Sequence, residues 1–117
     1  MSDCLFCKIA SGEIPSKFVY EDELCCAFND IEPQAPVHVL IIPKKHIDSL
    51  SAAEGTDALL LAHLLMTAKK IAKEQGLDET GYRLVINTGA DGGQSVKHLH
   101  IHLLGKKPMG WPPYAEL

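Results

Sequence analysis

At 117 residues, with 46% hydrophobic and 22% charged side chains, the chain has the composition of one globular domain, long enough to bury a core and too short for two. Eleven Lys and Arg against fifteen Asp and Glu leave a formal charge of −4, and no basic block exceeds two residues. That excludes the cationic surface duplex nucleic acid requires, though not a single nucleotide.

Residues 4–10 place Phe6 and Ile9 three apart and run out at Gly12, the pattern of a short helix, which Ile14-Pro15 then breaks. Within it Cys4 and Cys7 form a Cys-x-x-Cys pair, which in a reducing compartment points to metal or redox chemistry rather than a structural disulfide. The plain alternative is two free thiols. Residues 17–20 and 24–29 predict a hairpin around Glu21-Asp22-Glu23, with the adjacent Cys25 and Cys26 facing opposite ways as small apolar side chains. Pro33 and Pro36 bracket a loop, and the apolar run Val37-His38-Val39-Leu40-Ile41-Ile42-Pro43 reads as a central strand with one polar visitor, His38.

From 56 to 74, Ala58, Leu61, Leu65, Ala68 and Ala72 recur at helical spacing, widened by Leu60, Leu64 and Ile71. Thr56, His63, Thr67, Lys70 and Glu74 mark the opposite face, and Gly76 ends the helix. A stripe that wide suggests packing on the sheet and on a second subunit. Residues 82–87 predict a further strand, 88–95 a glycine-rich loop and 96–104 a last strand. Strands separated by one long helix give an α+β fold with an antiparallel sheet of about five strands. No apolar run approaches the roughly 20 residues needed to cross a bilayer. Met1-Ser2-Asp3-Cys4 lacks the basic and apolar regions of a secretory leader, so a cytoplasmic location is expected.

The last strand carries the chemistry. In His98-Leu99-His100-Ile101-His102 a period of two puts three imidazoles on one face and the aliphatic residues on the other. His98 and His102 would lie roughly 13 Å apart at Cα, too far for all three rings to share one metal ion. At least one histidine is therefore free for catalysis. The preceding Gly89-Ala90-Asp91-Gly92-Gly93-Gln94-Ser95 has no Gly-Lys-Ser/Thr and is no Walker A loop, and a Gly-Gly hairpin alone is only a turn. Leading into the histidines, it supplies backbone N–H groups and the Ser95 hydroxyl to an anion. Histidine attacks phosphorus as a nucleophile, given donors for the non-bridging oxygens and a proton for the leaving group. His100, in the centre of the row, is the expected nucleophile, with His102 and His38 as donors, while His63 on the polar helix face reads as structural.

Gly93-Gln94-Ser95-Val96 followed by His98-Leu99-His100-Ile101-His102-Leu103-Leu104 resembles the signature of the histidine triad family of nucleotidyl hydrolases and transferases. Ile14-Pro15, Phe28-Asn29-Asp30-Ile31, Pro33-Gln34-Ala35-Pro36, Ile42-Pro43-Lys44-Lys45-His46, Asn87 and Gly110-Trp111-Pro112-Pro113 are similar to its Hint branch. The resemblance implies a purine nucleoside phosphoramidase and a homodimer whose two sheets join. It makes His100 the nucleotidylated residue, with His102 and Ser95 near the phosphate and His38 in support. Asp30 and Ile31 would hold the ribose, Asn87, Gly93, Gln94 and Ser95 the sugar and phosphate, and Trp111 would lie near the partner's active site. Hint proteins of animals lack the Cys4/Cys7 pair, but some bacterial members carry it and bind zinc. That similarity implies a zinc site of Cys4, Cys7, His46 and His98, a donor set that forms a closed tetrahedral structural centre. Two other readings stand beside the enzyme: a nucleotide-binding scaffold with incidental turnover, and a metallohydrolase using the histidines as ligands. No carboxylate close to the histidine row favours the latter.

Overall fold

The computed structural model describes residues 4–114. Met1, Ser2 and Asp3, and the last three positions of the tail, lie outside the described residues. The elements in order are α1 (Leu5–Ala10), β1 (Phe18–Glu21), β2 (Cys25–Asn29), β3 (Val37–Pro43), α2 (Ala58–Glu74), β4 (Tyr82–Val85) and β5 (Ile101–Gly105). All strand pairs are antiparallel, in the order β1-β2-β3-β5-β4. Among the described residues no helix is long and apolar enough to cross a membrane.

The sheet has a different covering on each face. On one, Val39, Ile41, Leu99, Ile101 and Leu103 pack with Leu64, Ala68, Ile71 and Ala72 of α2, each Val, Leu or Ile side chain contributing roughly 1.5–3 kcal/mol by leaving water. On the other, Phe28, Leu40 and Ile42 pack with Phe6 and Ile9 of α1. Cys25 belongs to the first cluster and Cys26 to the second, the opposed placement that strand alternation requires. Thr67 departs from expectation. It is buried on the packed side of α2, where its hydroxyl lies 3.7 Å from Cys25 Sγ. Leu65 of the predicted apolar stripe is instead 48% exposed.

The histidine strand is shorter than its alternation suggested, since β5 begins only at Ile101. Its pairing with β3 stops at Ile41↔Ile101, because Pro43 has no N–H to donate and the chain beyond it turns away. Leu99 N–H finds Ile47 O instead, at 2.7 Å. Facing survives the loss of the ladder: Leu99 stays in the α2-side core, while His98 and His100 are buried beside Phe6.

His63 is structural, as expected. Its Nε2 lies 2.7 Å from Asp22 Oδ2, tying α2 to the turn between β1 and β2. Asp22 also accepts from Tyr20 Oη at 2.9 Å and from the N–H groups of Leu24 and Cys25 at 2.8 and 2.9 Å. Burial alone would raise its pKa, but the backbone donors, His63 and Tyr20 outweigh burial and hold it well below the usual carboxylate range. A carboxylate depressed on folding contributes stability above its unfolded pKa of about 3.9 and loses it as pH falls below that value. Urea midpoints measured from neutral pH into acid should therefore fall more steeply for the parent than for Asp22→Asn. Parallel curves would show that the latch does not couple to protonation.

Candidate active site

Five of the six histidines converge on one side of the sheet. Ring centroids step from His46 to His98 (4.9 Å), from His98 to Phe6 (5.9 Å), from Phe6 to His100 (5.1 Å), from His100 to His102 (5.0 Å) and from His102 to His38 (5.1 Å). One end of this row is a cysteine-histidine cluster and the other opens into a cleft.

The cleft, of about 510 Å³, lies between α1 and the sheet. Leu5, Phe6, Ile9, Phe28, Leu40 and Val96 make its walls apolar, and Asp30, His38, Ser95, His100 and His102 are its polar side, with Ile31 at the margin. Hydrogen-bond partners fix the tautomer of each ring. His100 donates Nδ1–H to His98 O at 2.7 Å, so its Nε2 keeps a lone pair. Gln34 N–H donates to His38 Nδ1 at 3.0 Å, which leaves His38 Nε2 to donate to His102 Nδ1 at 2.9 Å. His102 therefore carries its proton on Nε2. Asp30 Oδ2, 3.4 Å from His38 Nε2, supports that orientation.

Burial favours the neutral form of His102 and His38. It pushes His102 down to about 4, reinforced by His100 and His38, and it lowers His38 against the opposing pull of Asp30. The cleft thus pairs a basic nitrogen on His100 with an N–H donor on His102, against apolar walls that exclude water. This arrangement can attack an electrophile and hold the negative charge that develops on it. Asp30, His38 and His102 also bring ligand atoms within 4.8 Å of one another, but a hydrogen bond between His38 Nε2 and His102 Nδ1 engages the two facing ring nitrogens with each other.

At the other end, Cys4, Cys7, His46 and His98 present ligand atoms all within 4.8 Å of one another. Cys4 Sγ and His98 Nδ1 are 3.2 Å apart, Cys7 Sγ and His46 Nδ1 3.2 Å, and Cys7 Sγ and His98 Nδ1 3.5 Å. The N···S edge of a tetrahedral site with ordinary zinc bond lengths is about 3.5 Å. Outer partners fit as well: His98 Nε2–H donates to Pro43 O at 2.8 Å and His46 Nε2 meets Asp48 Oδ1 at 2.6 Å. Both Nδ1 lone pairs therefore face the thiols, the second-shell arrangement of metal-bound histidine. These four side chains can hold a metal ion.

Asn87, Gly93 and Gln94 do not line the cleft. Asn87 Nδ2 donates to Gly92 O at 2.7 Å, and Gln94 braces the loop by accepting from Gly89 N–H at 3.0 Å while its Nε2 donates to Asp48 O at 2.7 Å and Val96 O at 3.0 Å. Gly93 sits at φ 75°, a conformation that favours glycine. Of the loop residues singled out in the sequence, Ser95 reaches the cleft. Sequence reasoning missed Phe6, Asp48 and the N–H of Gln34. Asp48 stands two residues from His46 and Phe6 inside the Cys-x-x-Cys pair, so proximity to proposed ligands was the available signal.

Fold and site together define a small α+β domain that presents a row of tautomer-fixed imidazoles to an apolar cleft. Residues 11–109 match the family model described as HIT domain. An uncharacterized HIT-like protein of Synechococcus elongatus is 58% identical over 95% of this chain and 96% of its own length. The crystal structure of a HIT family hydrolase from Legionella pneumophila superposes with a TM-score of 0.93 at 57% identity, covering 95% of this chain and 99% of that one. A histidine triad protein from Clostridium difficile follows with a TM-score of 0.91 at 53% identity, over 95% of this chain and 97% of that one. The chain belongs to the HIT family.

Proposed function

We propose that the protein is a nucleotide-binding hydrolase that cleaves the P–N bond of purine nucleoside 5′-phosphoramidates through a nucleotidyl-His100 intermediate. The bond from His100 Nδ1–H to His98 O carries this reading, because it leaves Nε2 unprotonated at the cleft. The amine nitrogen takes up a proton from solvent, His100 Nε2 attacks phosphorus, the P–N bond to that protonated nitrogen breaks, and the neutral amine departs. His102 Nε2–H holds a non-bridging oxygen, with Ser95 beside it and His38 fixing the ring. Water then attacks phosphorus, the P–N bond to His100 breaks, and the nucleoside monophosphate leaves as the proton released passes to solvent. Asp30 and Ile31 flank the ribose, and the apolar walls take the base; Asn87, Gly93 and Gln94 act by shaping the loop that presents Ser95.

Zinc is the metal that best suits two thiolates and two imidazoles at the Cys4, Cys7, His46 and His98 cluster. It would close that tetrahedron and clip α1 to the histidine row without joining the reaction. Four cysteines, Cys4, Cys7, Cys25 and Cys26, none of them in a disulfide, suit a cytoplasmic location.

A homodimer completes the proposal. β4 ends the sheet with one side unpaired, and α2 exposes Leu59, Leu65 and Met66 at 86, 48 and 59%. Both features support a sheet continued by a second copy, with each tail beside the other's cleft. Sedimentation at micromolar concentration should give a dimer; a monomer would contradict it. Deleting residues 109–117 should change the relative rates for bulky and small leaving amines more than it changes AMP affinity. A uniform change across substrates would remove the tail from specificity. The direct test of the activity is release of AMP or GMP from the corresponding phosphoramidates, and binding without release would favour a scaffold.

A further inference from the structure

The guanidinium of Arg83 has an unusual position. Arg83 stands on edge strand β4 opposite Leu104, which stands opposite His38 on β3. Residues directly opposed share a face, so Arg83 lies on the face of the sheet that carries His38 and His102, at its outer margin. Its Nη2 donates to Gly110 O at 2.7 Å and reaches Met109 O at 3.4 Å. These two carbonyls immediately precede Trp111, which is 82% exposed, and the tail beyond it carries Tyr114 at 84%. The other end of the guanidinium, Nη1, is buried and has no partner among the described residues. A buried donor without an acceptor is unfavourable, so a purely stabilising role is better served by an apolar side chain of the same length.

We propose that Arg83 is a positioning residue: its Nη2, held on a rigid planar guanidinium between the carbonyls of Met109 and Gly110, fixes the direction in which the C-terminal tail leaves the sheet edge, and thereby places Trp111 to discriminate among leaving amines. The proposal rests on the reading of the tail given above. Two neighbouring carbonyls held by one rigid group define an angle as well as an attachment point. A lysine supplies the charge on a freely rotating ammonium at the end of a flexible stem, which does not hold one nitrogen in a fixed plane. Arg83 itself touches neither nucleotide nor reacting atoms.

Trp111 is the only tryptophan in the chain, so its fluorescence reports the tail alone. Arg83→Met keeps the aliphatic stem and removes the unmatched donor; its urea midpoint should stay near the parent's. Trp111 anisotropy should fall, and quenching by acrylamide should rise. The ratio of kcat/KM for small against bulky adenosine phosphoramidates should shift by roughly tenfold, the scale of one altered pocket contact. Arg83→Lys should behave like Arg83→Met in all three. Unchanged anisotropy and substrate ratio in Arg83→Met would overturn the proposal. So would a loss of stability that accounts for both changes, or full rescue by Arg83→Lys. The deletion of 109–117 separates the two readings. If it shifts the ratio and Arg83→Met does not, the positioning role of Arg83 is wrong and the tail reading stands. If the deletion leaves the ratio unchanged, the tail reading falls and with it the proposed effect on amines.

Discussion

His100→Ala should lower kcat for adenosine 5′-phosphoramidate by about 10⁴-fold or more, with AMP affinity changed only a few-fold. Loss of a covalent nucleophile removes the pathway itself, whereas loss of a donor such as His102 weakens one interaction along it. His100 is 4% exposed and packs edge-on against Phe6, so alanine leaves a small void. His100→Asn guards against misreading a folding defect, because its amide can keep the bond to His98 O without supplying a basic nitrogen. Both variants should be inactive, folded and competent for AMP. Retained turnover in either would eliminate the covalent route.

The second large effect is on stability. The purified protein should carry about one zinc per chain, and Cys4→Ser with Cys7→Ser should abolish it. Binding energy confined to the folded state is folding energy, so the double variant should melt roughly 10 °C lower or more. Activity should fall far less than in His100→Ala, because the cluster meets the chemistry indirectly, through Phe6, the backbone of His98 and the Asp48–Gln94 contact to the Ser95 loop. Metal content, calorimetry and steady-state rates on one preparation decide the matter. Immediate loss of turnover on chelation, in a protein that remains folded, would make the metal catalytic and His98 more than a structural ligand.

Elements with a strong apolar period were legible from sequence. The 56–74 helix appears as Ala58–Glu74, preceded by 3-10 turns at Leu50–Ala52 and Gly55–Asp57, and the central strand falls on Val37–Pro43. Thr67 was misplaced because helical periodicity cannot separate a buried hydroxyl from an exposed one; its partner, Cys25, is 42 residues away in the chain. The strand predicted over 96–104 was overextended for a related reason. Alternation records which way side chains face, while the ladder also needs a donor on the neighbouring strand, and Pro43 has none.

In the site, residue types were legible and their hydrogen-bond partners were not. Period two marked His98, His100 and His102, and Cys-x-x-Cys marked a ligand pair. The features that assign their roles are backbone atoms with no sequence signature: His98 O, Pro43 O and Gln34 N–H. Arg83 escaped notice because its partners are carbonyls of the tail.

The claim that His100 forms a covalent intermediate is tested most directly by stereochemistry at phosphorus. A P-chiral adenosine 5′-phosphorothioamidate hydrolysed in isotopically labelled water reports the number of displacements. Attack by His100 followed by attack of water inverts the centre twice, so the account predicts net retention of configuration in the adenosine phosphorothioate released. Net inversion would mean that water displaces the amine in one step, and would contradict it.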